Sequence, residues 1–288
     1  MKKKMLALSS LALLVGGALY TMAPNSDRER RQRLRPFESV AIAHRGLHDN
    51  RSDAPENSML AFRKAVDAGY GIELDVRLTR DGIPVVFHDE NLKRTSGLDK
   101  EIGELTYDEL KKVKLFSSQE TIPLFEDVLE LIGGKVPLIV EIKAEYDIFE
   151  ICERVMRKLY CYPGIYCIES FSPFVLKWFK DHEPFLLRGQ LSLDFFDPQW
   201  KQEKPWPVKF TAKNLMGNIF SRPDFVSYDL HCARNLPLTV SRKVFEAKTA
   251  AWTVRSEEDL AFADQYFDII IFEGFEPNRN GRNNNAAF

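Results

Sequence analysis

From residue 38 onward, short apolar runs alternate with segments whose apolar residues recur at helical spacing. Ser39–Ala43 predicts a first strand ending at His44-Arg45-Gly46. Pro55–Ser58 then opens a helix with Leu60, Phe62, Ala65, Val66 and Ala68 on one face and Gly69 as its stop. Gly71–Val76 predicts the second strand, and Asp81-Gly82 turns the chain back through Val85–Phe87 as a hairpin arm. Further strands are expected at Val136–Ile142, Ile165–Ser170, Leu186–Leu191, Phe225–Asp229, Ala250–Val254 and Asp268–Phe272. Helices are expected over 104–114, 123–132, 147–160, 173–180, 239–247 and 256–265. Residues 194–220, with Trp200, Trp206 and several prolines, predict a loop-rich insertion. Eight strands alternating with helices predict a (β/α)8 barrel, with the hairpin as an extension after the second strand. An open doubly wound sheet is the alternative, and no glycine-rich phosphate loop supports it.

The first 36 residues lie outside this alternation. Lys2-Lys3-Lys4 precedes an uncharged run from Met5 to Met22, long enough for a short membrane span or a signal peptide. Thr21-Met22-Ala23 is followed by Pro24, a poor cleavage context. A single uncleaved anchor in the cell membrane is therefore expected, with secretion after cleavage as the alternative. Lysines before the run and Arg28, Arg30, Arg31, Arg33 and Arg35 after it leave the membrane side open. Those arginines read either as a solvated linker or as a contact for anionic headgroups. The domains expected are this segment (1–36), the barrel (37–278) and a disordered Asn- and Arg-rich tail (279–288).

A net charge of −2 over 288 residues gives no reason to expect nucleic acid as a partner. Of four cysteines, Cys152 and Cys167 lie in apolar stretches and read as buried thiols, and a core of this size needs no disulfide.

The chemistry gathers where barrel enzymes keep it, at the C-terminal ends of strands. His44 and Arg45 follow the first strand, Glu73 and Asp75 end the second, and Glu141 and Lys143 end the next barrel strand. Alternation along a strand puts Glu73 and Asp75 on one face and Glu141 and Lys143 on one face. Three converging carboxylates need a cation, and an all-oxygen set suits Mg²⁺ or Ca²⁺. Arg45 and Lys143 add the positive charge of a phosphate site. Two histidines, His44 and His88, supply proton transfer near neutral pH. Each feature alone has a bland reading as rim residue, core histidine or salt bridge; their joint placement at strand ends argues for a site.

These motifs resemble those of the glycerophosphodiester phosphodiesterases. The resemblance is carried by "AHRG" (43–46), "PENSMLAFRKAVDAG" (55–69), "IELDVRLTRDGIPVVFHDENLKRTSG" (72–97), "IPLFEDVLE" (122–130), "LIVEIK" (138–143) and "AWTV" (251–254). It implies a distorted TIM barrel and one divalent cation, Ca²⁺ or Mg²⁺. It also implies hydrolysis of glycerophosphodiesters to glycerol 3-phosphate and an alcohol. Glu73, Asp75 and Glu141 would be the metal ligands, His44 and His88 the acid–base pair, and Arg45 and Lys143 the phosphate-holding groups. Trp252 and Phe171 would line the substrate. Which histidine is acid, and whether water or a glycerol hydroxyl attacks, stays open. The last strand, "IIIFEGFEP", departs from the family pattern at Glu273 and Phe275, as does the 194–220 insertion. Both departures are expected to bear on the alcohol side and to leave the metal and histidine sets untouched. A membrane-facing enzyme acting on lysophospholipids or glycerol-phosphate polymers is a second reading. A non-catalytic barrel that binds a phosphorylated ligand is a third, and the intact set of site residues argues against it.

Overall fold

The computed structural model describes residues 13, 15–25, 27–143, 147–200 and 204–277. Among the described residues nine strands are present: β1 (Ile42–His44), β2 (Gly71–Leu78), β3 (Pro84–Val86), β4 (Leu138–Ile142), β5 (Tyr166–Ser170), β6 (Arg188–Ser192), β7 (Phe225–Asp229), β8 (Lys248–Val254) and β9 (Ile269–Phe272). Eight pair in parallel in the order β1-β9-β8-β7-β6-β5-β4-β2, and β1 also pairs with β2, which closes the barrel. The ninth, β3, pairs antiparallel with the upper half of β2. The predicted barrel and hairpin extension are both present, with most strand bounds shifted by one or two residues.

Local chemistry sets the elements. The helix Met59–Ala68 starts where Ser58 Oγ accepts from Ala61 N–H, and it stops at Gly69 in the left-handed conformation. Most barrel strands carry apolar residues on both faces, as a sheet covered by helices outside and filled inside requires. The interior is apolar at its base, where Ile42, Ile139, Cys167, Leu187, Phe225, Ala250, Ile269 and Ile271 pack together. Phe225 fills space that Gly189 leaves, since a Cβ on Gly189 would lie 2.2 Å from its ring.

Two expectations need correction. The helix predicted over 104–114 is instead a 3₁₀ turn (Ile102–Glu104) and a short helix (Tyr107–Leu110). Its apolar residues serve a satellite core beneath the hairpin, where Leu92, Ile102, Leu110, Leu115 and Ile122 pack on Val85 and Phe87. The insertion at 194–220 also carries regular structure, the helices Trp206–Lys213 and Asn218–Ser221. All four cysteines are free, and Cys152 and Cys167 are buried.

The boundary at residue 36 also moves. Short helices at Arg28–Gln32 and Arg35–Glu38 belong to the barrel, and Leu34 and Phe37 pack fully buried against its base. Arg30 is not a linker arginine: its Nε and Nη2 donate to the two Asp224 carboxylate oxygens at 2.5 and 2.8 Å, and further donors reach the Pro184 and Leu186 carbonyls. Among the described residues no helix is long and apolar enough to cross a membrane. Much of the expected anchor, residues 1–12 and Leu14, lies outside the described residues, as does the whole of the expected disordered tail, 279–288.

Removing one partner of a buried charge pair strands the other. Asp224→Ala is therefore expected to cost about 3–5 kcal/mol of stability in urea unfolding. Arg31→Ala, which breaks an exposed pair with Glu246, should cost less than about 1 kcal/mol.

Candidate active site

Register builds the site. Parallel pairing sets His44 beside Glu73, Asp75 beside Glu141 and Glu141 beside Glu169, all on the inner face at the C-terminal end. After His44 the chain turns sharply through two left-handed residues, Arg45 (φ 56°) and Gly46 (φ 82°). Gly46 is required there, because a Cβ would meet the Ala61 backbone at 2.9 Å. The turn aims the Arg45 N–H at Glu73 Oε2 (3.2 Å).

Glu73, Asp75 and Glu141 each offer an oxygen within 4.8 Å of the other two, and all three are buried. Burial, Asp75 and the neighbouring acids Glu169 and Glu141 raise the Glu73 pKa well above the ordinary range. Glu141 is raised in the same direction, chiefly by burial. Burial also opposes ionisation of Asp75, but Lys143, His88 and Arg45 outweigh it and hold Asp75 well below the usual range. The Lys143 ammonium bridges Asp75 Oδ1 (2.8 Å) and Glu141 Oε1 (2.6 Å). Hard oxygen donors, a dry pocket and mutual repulsion fit a divalent cation such as Mg²⁺ or Ca²⁺.

Sequence reasoning missed Glu169. It sits at the end of β5, and burial and Glu141 push its pKa up to about 8. Its Oε2 is buried with no partner among the described residues. The signal was present in the strand alternation, since Glu169 shares the inward phase of Cys167.

Both histidines have a carboxylate behind the ring. His44 Nδ1 lies 2.5 Å from Glu273 Oε2, and His88 Nδ1 lies 2.6 Å from Asp89 Oδ1. Burial alone would raise Glu273 and Asp89, but the histidine contacts and nearby arginines hold both far below the carboxylate range. Ionised carboxylates only accept, so each Nδ1 carries the proton and each Nε2 is left to accept or deliver one. The Glu273 contact corrects the expectation that the departure in the last strand leaves the histidine set untouched. Glu273 is reached because β9 lies next to β1, an adjacency that local pattern does not display. Burial, then the Arg45 charge, lowers the His44 pKa; burial, then Lys143, lowers that of His88 to about 4.

The hairpin delivers His88. Phe87 N–H donates to the Asp75 carbonyl (2.9 Å), and Arg77 Nε and Nη2 donate to the His88 carbonyl at 2.9 and 2.5 Å. A chain of ion pairs then runs from Arg45 Nη1 to Glu56 (2.7 Å), from Glu56 to Arg94 (2.7 Å) and from Arg94 to Asp89 (2.6 Å). Burial works against the Glu56 charge, and the Arg94 and Arg45 contacts still draw its pKa down to about 2. Arg45 Nε lies 3.4 Å from Asp75 Oδ2, whose other neighbour is Asn57 Nδ2 at 2.8 Å. Trp252 and Phe171 meet edge to face at 5.7 Å, and Trp200 from the insertion closes on Trp252 at 5.7 Å. His48 donates to the His44 carbonyl (3.0 Å), while His182 stacks on Trp178 far along the chain.

Comparison with known proteins agrees with this geometry. The profile of the Glycerophosphoryl diester phosphodiesterase family matches residues 44–270. The chain belongs to that family. A glycerophosphodiester phosphodiesterase of Caldanaerobacter subterraneus is 36% identical over 225 residues, covering 72% of this chain and 88% of the relative. One of Bacillus altitudinis is 40% identical over 188 residues, covering 61% of this chain and 76% of the relative. A phosphodiesterase of Oleispira antarctica, solved with the product sn-glycerol-3-phosphate, superposes with a TM-score of 0.65 at 26% identity, covering 81% of this chain and 92% of that one. This family member is thus a phosphoric diester hydrolase on a closed barrel, with an acidic cluster able to hold a divalent metal.

The raised carboxylates fix a pH signature. A folded-state pKa above the unfolded value means the carboxylates lose stability as pH rises toward about 8, where Glu169 titrates; His44 and His88, lowered on folding, act the opposite way up to the ordinary imidazole value of 6.5, so the loss stands unopposed between 6.5 and about 8. Melting of the metal-free protein across that window should show this loss, and Glu73→Gln should reduce it. Saturating Mg²⁺ or Ca²⁺ should stabilise the wild type by about 2.7 kcal/mol at a hundredfold excess over Kd, seen as a higher melting point, and do much less for Glu73→Gln.

Proposed function

We propose that this enzyme is a divalent-metal-dependent phosphodiesterase that hydrolyses glycerophosphodiesters to glycerol 3-phosphate and an alcohol. The observation that carries the reading is the facing arrangement of the carboxylate trio with two carboxylate-backed histidines. Glu73, Asp75 and Glu141 would hold the cation, which when bound polarises a phosphoryl oxygen. Arg45 and Lys143 lie beside those acids and would neutralise charge gathering on the phosphate oxygens. Asn57 and Glu56 keep Asp75 and Arg45 in place.

Each histidine Nε2 is a proton site of fixed tautomer. One, entering neutral, takes the proton of the attacking hydroxyl on Nε2; the other must enter as the imidazolium, and gives its Nε2 proton to the departing alkoxide. The set is near-symmetric, so either histidine can hold either role. The Trp252 indole N–H is buried without a partner among the described residues and is available to a substrate oxygen, with Phe171 packing beside it. The uncharged run from Met5 to Met22 would hold the barrel at the cell membrane as a single anchor.

The test is release of glycerol 3-phosphate from glycerophosphocholine by EDTA-stripped protein with Ca²⁺ or Mg²⁺ restored. Release with either metal, abolished by Glu73→Ala, is the expected result. Absence of release with both metals rejects the reading. His44→Ala and His88→Ala should each lower kcat by about 10²–10⁴-fold. A variant that keeps full turnover removes that histidine from the mechanism. Glu273→Gln should lower kcat by about 10²-fold or more with KM little changed, since the ring keeps its place and loses its charge partner.

A further inference from the structure

The segment that follows β6 has no place in the chemistry above, and its surface is unusual for a barrel. In the helix Trp206–Lys213 no residue is buried, although its sequence is WPVKFTAK. Trp206 is 63% exposed and stacks on Phe210, one turn on, at 5.2 Å. Phe196, also exposed, lies 6.4 Å from Trp206. Further along, exposed Phe220 lies 5.7 Å from exposed Phe174. Lysines are interleaved with these rings: Lys204 lies over Phe195, Lys213 over Phe196, and Lys209 stands on the same helix, which has no acidic residue. A helix that exposes its apolar side chains in water forgoes their burial, so this face calls for an occupant.

The two ends of the segment say which. At one end Trp200 Nε1 donates to Asp229 at 3.0 Å and its ring abuts Trp252, so the segment starts at the barrel mouth. At the other, Asn218 Nδ2 donates to the Met22 carbonyl (2.8 Å), and Arg222 Nη1 donates to the Tyr20 (3.0 Å) and Ala23 (2.8 Å) carbonyls. The uncharged run Met5–Met22 therefore ends on this segment, and its residues Leu13, Val15 and Tyr20 are themselves exposed. Exposed aromatic rings, flanking lysines and an adjoining apolar run are together the composition of a surface that sits at a lipid interface.

We propose that the flank built by Phe196 and the helices Trp206–Lys213 and Asn218–Ser221 docks the barrel on an anionic phospholipid bilayer. Trp206 and Phe210 enter the headgroup–acyl boundary, Lys204 and Lys209 meet the lipid phosphates, and the mouth is held at the membrane surface. Docking stands independently of the phosphodiesterase reading; only its consequence for substrate access rests on it.

The test uses the full chain reconstituted into phosphatidylcholine–phosphatidylglycerol vesicles whose acyl chains are brominated near the headgroup. The run Met5–Met22 contains no tryptophan, so quenching of tryptophan emission reports on the barrel and not on the run. The expected result is quenching in the wild type that falls at least about twofold in Trp206→Phe. Lys204→Glu with Lys209→Glu should weaken quenching by a similar factor, and pure phosphatidylcholine vesicles should do the same to the wild type. Equal quenching with and without Trp206 overturns the proposal. So does failure to quench in a protein whose self-association is abolished by Trp206→Ser with Phe210→Ser, which would make the occupant a second copy. That double variant should release glycerol 3-phosphate from soluble glycerophosphocholine at the wild-type rate. It should be slower on a lysophospholipid carried in the vesicles. Loss of soluble activity in the wild type would reject the phosphodiesterase reading and leave the quenching result standing.

Discussion

Pairing Asp75 with Glu141 and His44 with Glu73 in parallel register forces several acids into one water-poor space at one height of the barrel. Such groups cannot all be ionised there without positive charge beside them. Lys143 and Arg45 supply part of it, and the raised pKa values of Glu73, Glu141 and Glu169 mark what they leave uncompensated. A divalent cation and an anionic phosphate are what such a charge balance accepts together: the first answers the acids, and the second answers the arginine and lysine that remain.

The two histidines reach this centre by unlike routes and end in like environments. His44 ends a barrel strand and is backed by Glu273 from the neighbouring strand. His88 arrives on the hairpin, held by Arg77 through its own carbonyl and backed by Asp89 next in sequence. The ion pairs from Arg45 through Glu56 and Arg94 to Asp89 tie the loop after β1 to the hairpin. A shift of the hairpin would therefore be felt at Arg45 as well as at His88.

Much of this was legible before any coordinates. Strand alternation is local, and it placed Glu73, Asp75 and Glu141 correctly on the inner face. Helix ends were legible where capping chemistry is local, as at Ser58 and Gly69. What escaped was set by contacts remote in sequence. Glu273 meets His44 only because β9 closes the barrel against β1, and Arg30 is buried only because Asp224 waits at the base of β7. The apolar spacing over 104–114 was real, but the satellite core under the hairpin used it and no long helix formed.

The base of the barrel offsets what the mouth costs. At the mouth the chain holds Arg45 and Asn57 in left-handed conformations and leaves acids crowded, features that cost stability and serve placement. At the base Leu34 and Phe37 pack against the interior, Phe225 fills the room beside Gly189, and Arg30 meets both Asp224 oxygens along one edge of its guanidinium. Both ends share the same eight strands, so rigidity generated below is transmitted along them to the side chains above. The residues just after the apolar run thus contribute to the site without approaching it. They close the base on which the register of Glu73, Asp75 and Glu141 depends.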